Sequence, residues 1–160
     1  MQKQWRLAAR PDGIPDRSHF DLVEVPIPEL EPGKALVKTL YLGVAPVMLR
    51  YMRNETEFES PLALGSVMTG RGVAQVMESD CDGLPVGAIV QARLGWQEYA
   101  LIDGSHRPAP FLLPTDLPLS HGIGAVSLSG ITALVGIRDV GLVKADDRIL
   151  VSGAAGGVGS

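Results

Sequence analysis

A mainly β fold with some helix, a small barrel followed by the opening of an α/β domain, is what the 160 residues predict. Three observations carry this expectation. Short apolar runs separated by Gly and Pro turns fill the chain up to Pro114, the pattern of a compact all-β unit. Helical spacing replaces that pattern further on. A last apolar run then leads straight into glycines at 153, 156, 157 and 159. The chain divides accordingly into a barrel over 1–125, and a linking helix, first strand and Gly-rich turn over 126–160.

Each element follows from local signals. Trp5 to Ala9 is an apolar-rich run that stops at the turn Arg10-Pro-Asp-Gly13. Phe20 to Val25 partly alternates, as a half-buried strand does, and Pro26 and Pro28 end it. Ala35 to Leu42 is the next strand, entered through Glu31-Pro-Gly-Lys34. Pro46 to Arg53 forms one short helix beside the barrel. Gly72 to Met77 alternates and ends in the turn Ser79-Asp-Cys-Asp-Gly83. Ala88 to Arg93 and Trp96 to Ile102 are expected to face each other across Leu94-Gly95. Leu128, Ile131, Leu134, Val135 and Ile137 fall mostly three and four apart, so a helix runs here and Gly141 stops it. The polar turn Lys144 to Arg148 precedes a short strand, Ile149 to Ser152.

Composition excludes several functions. At 46% apolar and 20% charged residues the chain has a core to bury and is not a disordered tract. A net charge of −4, with no Lys/Arg stripe, offers nothing to nucleic acid. One cysteine, Cys81, permits neither an internal disulfide nor a multi-cysteine metal site. Its neighbours Asp80 and Asp82 argue against a nucleophilic thiolate. His19, His106 and His121 share no ligand spacing and are expected as surface or capping residues. No run is long enough for a signal peptide or a membrane span, so a soluble cytoplasmic protein is expected.

The segment Ile149-Leu-Val-Ser-Gly-Ala-Ala-Gly-Gly-Val-Gly159 carries the most chemistry. A buried strand running into such glycines suits a dinucleotide: one glycine makes the tight turn, another admits the pyrophosphate, a third lets a helix pack on the strand. Backbone N–H groups at the helix start then hold the phosphate. Gly153, Ala155, Gly156, Gly157 and Gly159 are the candidate cofactor contacts. A domain stopping after one strand and half a turn cannot bury its own apolar face, which implies a truncated nucleotide-binding domain.

The collinear set of motifs resembles the medium-chain dehydrogenase/reductase superfamily, in the zinc-free branch of 2-alkenal, prostaglandin and curcumin reductases. The stretches are Gln4 to Gly13, Phe20 to Pro28, Leu36 to Pro46, Gly65 to Ala74, Gly95 to Ala100, Leu128 to Ala133 and Val151 to Gly159. The resemblance implies a chaperonin-10 (GroES)-like barrel followed by a Rossmann domain. It implies hydride transfer from NADPH to the β-carbon of an α,β-unsaturated aldehyde or ketone, a homodimer at full length, and no zinc. Zinc-dependent relatives place Cys after the strand matching Leu36 to Leu42, and Gly-His-Glu near Gly65-Ser-Val67. Gly43-Val-Ala45 stands at the first place, and no His or Glu at the second. The branch's Asp-Pro-Tyr-Met-Arg is Ala45-Pro-Val-Met-Leu49 here, and its later Tyr is Leu134, which makes the pocket more apolar.

The same resemblance places Thr132 near the nicotinamide; the alternative is a helix threonine bonded to its own turn. Val47, Met48, Met68 and Trp96 are candidate substrate-pocket residues. For the methionines the alternative is core filling, and for Trp96 strand packing with its N–H satisfied. Tyr51, beside Arg50, is the candidate proton donor. A flat quinone as substrate, or a non-catalytic binding module, are the alternative functions. The 160 residues alone are expected to be inactive, since hydride transfer needs the nicotinamide held over the barrel pocket.

Overall fold

The computed structural model describes residues 1–55, 60–105, 108–114 and 116–160. Among the described residues, seven strands lie in two sheets. β1 (Gln2–Leu7) and β2 (Phe20–Val25) form an antiparallel ribbon, with Gln2 opposite Val25 and Leu7 opposite Phe20. The second sheet has the order β6-β3-β4-β5-β7, built from β3 (Ala35–Leu42), β4 (Arg71–Ser79), β5 (Ile89–Arg93), β6 (Tyr99–Ile102) and β7 (Phe111–Leu112). These ladders do not close into a ring. Isolated bridges do the joining: Gln4 pairs with Gln97, and Arg6 with Val67. Backbone hydrogen bonds from Trp5 N–H to Trp96 O and from Met68 N–H to Trp5 O, both 2.8 Å, seat β1 between two connecting segments.

The core follows from the strand period of two. Ala35 and Val37 on β3, Ala74 and Val76 on β4, Val90 and Ala92 on β5, and Ala100 and Ile102 on β6 converge on one cluster, with Leu84 and Leu94. Cross-strand register stacks them directly, Val37 against both Val76 and Ala100, and Ala74 against Val90. A register shift between Thr39 and Tyr41 bends β3 at its exit. Gly72 sits opposite the bend, where a Cβ would overlap the Tyr41 carbonyl.

Two sequence expectations are corrected. The strands at 88–93 and 96–102 do not pair; β5 lies against β4 and β6 against β3 on the far side of the sheet. Leu94 and Gly95 both donate to Gly70 O, Gly95 takes φ +70°, and the chain turns onto β1 before β6 begins. The segment Ile149 to Ser152 is not a strand. A lone apolar strand has no ladder to join, and Leu150 is 98% exposed.

The helices match their signals more closely. α1 (Val47–Arg53) ends at Asn54 in the left-handed region, φ +67°. α2 (Leu128–Val135) starts at Ser127, whose hydroxyl accepts the Ser129 N–H, and passes into a π turn over Gly136–Val140. That stretch stops at Gly141, whose N–H bonds Gly136 O at 2.8 Å. Two 3-10 turns (Arg17–His19 and Leu119–Ile123) and the two-residue strand β7 carried no periodic signal. His19 completes a capping box with Asp16, and His121 is exposed, as expected of both. His106 lies outside the described residues.

Candidate functional site: the cleft beside α2

The Gly-rich end folds back on α2. Gly153 takes φ +62°, Gly156 N–H bonds Gly153 O at 2.8 Å, and Ser160 N–H bonds Gly156 O at 3.0 Å. A Cβ at Gly159 would lie 2.5 Å from Gly153 O, so this coil needs glycine there. Gly157 comes to rest over Ser129, its Cβ position 3.3 Å from the hydroxyl. Between the coil and the helix lies a cleft of about 390 Å³, lined by Gly124, Ala125, Gly130, Ala133, Gly157, Val158 and Ser160.

The wall is made almost wholly of small residues. Gly130 is where the helix meets the preceding connector; a Cβ there would overlap the Ala125 carbonyl. Ser127 Oγ donates to Gly124 O, holding that connector in a tight turn. No side chain lining the cleft titrates. Its volume is in the range of small-ligand sites.

Of the sequence-predicted cofactor contacts, Gly157 lines the cleft, while Gly153, Gly156 and Gly159 shape the coil that delivers it. Ala155 is exposed and lies outside the lining. Thr132 is exposed on α2, between the lining residues Gly130 and Ala133 in sequence, and its hydroxyl donates to Leu128 O at 2.7 Å. Without a strand at Ile149 to Ser152, the strand–turn–helix geometry of a dinucleotide site is only partly assembled.

The predicted substrate residues gather elsewhere. Met48 and Met52 of α1 pack with Leu7 and Met68, and with Phe20, Leu62 and Trp96 around them. Met68 is fully buried. Trp96 stacks on Phe20 with centroids 5.6 Å apart, and a Cβ at Gly70 would lie 2.9 Å from its Nε1. Its buried N–H has no hydrogen-bond partner among the described residues, contrary to the expectation that strand packing would satisfy it. Val47 stays exposed at the start of α1. Tyr51 is half-buried on α1 and is not part of the cleft lining.

The helix carrying these residues is clasped from both ends of one loop. Arg10 donates to Met52 O at 2.8 Å and Leu62 O at 2.9 Å, while Arg53 donates to Pro11 O and Gly13 O. Among the described residues no three His, Cys, Asp or Glu side chains come close enough to hold a metal ion, and no helix is long and apolar enough to cross a membrane.

Sequence reasoning missed Gly124, Ala125, Gly130, Ala133, Val158 and Ser160 in the lining, and missed Gln91 behind them. Gln91 is 9% exposed in the middle of β5; its Nε2 donates to Gly122 O, and to Val126 O at 3.1 Å. The signal was present: a lone amide inside the apolar run Ala88 to Ala92 must find partners.

Comparison with known proteins agrees with this architecture. Residues 3–108 match the family described as the N-terminal domain of oxidoreductase. Rat prostaglandin reductase 1 is 38% identical over 159 residues, covering 99% of this chain and 46% of its own length. The NADPH-dependent curcumin reductase of Escherichia coli is 32% identical, with 99% of this chain and 45% of its length covered. The crystal structure of CurA from Vibrio vulnificus in complex with NADPH superposes with a TM-score of 0.85 at 33% identity, covering 98% of this chain and 46% of that one. The chain thus spans about half the length of the curated relatives it matches. With its β-rich fold, its Gly-rich end and these likenesses, the chain belongs to the medium-chain dehydrogenase/reductase family, and it matches the N-terminal portion of relatives named prostaglandin, curcumin and 2-alkenal reductases.

Proposed function

We propose that this chain is the N-terminal part of an NADPH-dependent reductase of activated C=C bonds, acting on α,β-unsaturated aldehydes or ketones without zinc. The observation that carries the reading is the Gly157 coil lying against α2, in a chain 38% identical to a prostaglandin reductase. The residues present fit one end of a dinucleotide. The cleft walls carry little beyond Cβ, which lets a flat ring or a pyrophosphate approach backbone closely. Among the described residues no backbone acceptor engages the N–H groups of Gly157, Val158 or Gly159, which leaves donors for an anion.

When bound, NADPH supplies the hydride for the substrate β-carbon. The chain's own residues bind and orient. Gly157 would lend its backbone, Gly130 and Ala133 would keep the opposite wall low, and Thr132, on α2 outside that lining, would be free to reach the nicotinamide only on leaving Leu128 O. The proton for the α-carbon comes from Tyr51 or from solvent, since no lining side chain titrates. The zinc-free reading rests on Gly43-Val-Ala45 and Gly65-Ser-Val67, which hold no metal-ligating side chain where zinc-dependent relatives carry them.

The test is NADPH consumption by the full-length protein offered 2-alkenals, enones and quinones, with NADH as control. Turnover with enals or enones supports the reading. Turnover with quinones only would replace it, a result that the exposed Val44 and Val47 would accommodate.

A further inference from the structure

We propose that Gln91 is a positioning residue for nucleotide binding, acting from the barrel core through the connector that carries α2. This inference rests on the reading of the α2 cleft as the nucleotide site. Gln91 spends its amide on two carbonyls that bracket the connector, Gly122 O and Val126 O. The connector between them supplies Gly124 and Ala125 to the cleft wall.

The mechanical path is short and made of rigid contacts. Gly122 is wedged into the barrel; a Cβ there would stand 2.5 Å from both Val73 Cγ2 and Leu113 Cδ1. Three residues on, the Ala125 carbonyl fills the notch of Gly130, the first small residue of the α2 wall. Ser127 then bonds back to Gly124 O and caps α2 through Ser129 N–H. A displacement of the connector therefore moves both walls contributed by residues 124–133 together. Only Gln91 reaches it from the sheet through a buried polar side chain among the described residues. A leucine or methionine would fill the same volume on β5, so packing alone does not call for an amide. A buried amide whose N–H groups are both spent on carbonyls fixes those two carbonyls in one arrangement.

The test uses the full-length protein, with NADPH titrated by fluorescence and turnover followed under saturating substrate. Gln91→Met keeps the volume and removes both donors. The expected result is a Kd and KM for NADPH raised roughly tenfold, within the range of couplings carried through packed networks, with kcat at saturating NADPH within about twofold. The comparison variant is Gln2→Met. Gln2 is also buried in the barrel and accepts Tyr99 N–H at 2.9 Å, but has no link to the connector. It should lower the thermal midpoint comparably and leave the NADPH Kd unchanged. Gln91→Asn keeps an amide one methylene shorter and should give a smaller rise of the same sign, which serves if Gln91→Met does not fold. An unchanged Kd in folded Gln91→Met, or an equal rise in Gln2→Met, overturns the positioning role. An unaltered protein that binds no NADPH overturns the nucleotide site itself, a distinct outcome seen before any variant is made.

Discussion

Single residues set the tightest tolerances in this chain. Gly122 has no room for a methyl between Val73 and Leu113. Gly122→Ala should cost about 1–3 kcal/mol through overpacking, measured as a lower urea midpoint. Met68 tests the opposite fault. It is fully buried among Leu7, Met48 and Met52, and Met68→Ala should cost roughly 2–5 kcal/mol as a cavity opens. Thr132 separates two roles that the sequence could not: its hydroxyl bonds Leu128 O within the helix. Thr132→Val should leave the thermal midpoint nearly unchanged and raise the NADPH KM several-fold. An unchanged KM would assign the hydroxyl to its helix alone. Asp16 carries a pH dependence. Its carboxyl is held below the ordinary 3.8 first by the Ser18 hydroxyl, then by the Ser18 N–H, with His19 adding to both. A lowered folded value stabilises the fold above the unfolded value, and that contribution is lost as pH falls through the folded one. The stability gap between the unaltered chain and Asp16→Asn should therefore narrow below about pH 3.8 in thermal melts.

At the scale of elements, local signals and long-range ones parted company. Strands β2 and β3 were legible because alternation and bounding Pro or Gly turns are local facts. So was α2, with its three-and-four spacing and Gly141 at the end. The pairing of β5 with β4 was not legible, because Leu94-Gly95 reads as a hairpin turn and nothing nearby in sequence reveals that β1 intercepts the chain at Trp96. The strand at Ile149 to Ser152 failed for a related reason. Its apolar pattern is real, but a parallel strand exists only in a sheet, and these residues face solvent. The candidate cleft was half legible: Gly157 and Thr132 belong to recognisable motifs, whereas Gly124, Ala125 and Gln91 matter through contacts formed only on folding. Amide exchange at 149–152 is expected to be fast in the 160-residue chain and strongly slowed in the full-length protein. Equal protection in both would mean that this segment never joins a sheet.

On the scale of the whole molecule, the barrel-like part carries its own core, and the second part does not. Leu128, Ile131 and Leu134 on α2, and Leu150 beyond it, are exposed. The relatives are about twice as long as this chain, and those named as a curcumin reductase and a 2-alkenal reductase carry the nicotinamide cofactor in their names. The 160 residues alone should therefore show no NADPH turnover with any enal, enone or quinone; measurable turnover would place a complete site within them. Half a cleft can bind weakly, but it cannot hold a hydride donor and acceptor at reacting distance.

Isotope labelling shows directly which substrate carbon receives the hydride. Full-length protein would be given NADPH deuterated at the transferable position together with a 2-alkenal, and the product examined by NMR. The expected product is a saturated aldehyde with deuterium on the β-carbon and none on the carbonyl carbon. An allylic alcohol carrying deuterium on its former carbonyl carbon would contradict it, and would reassign the protein to carbonyl reduction.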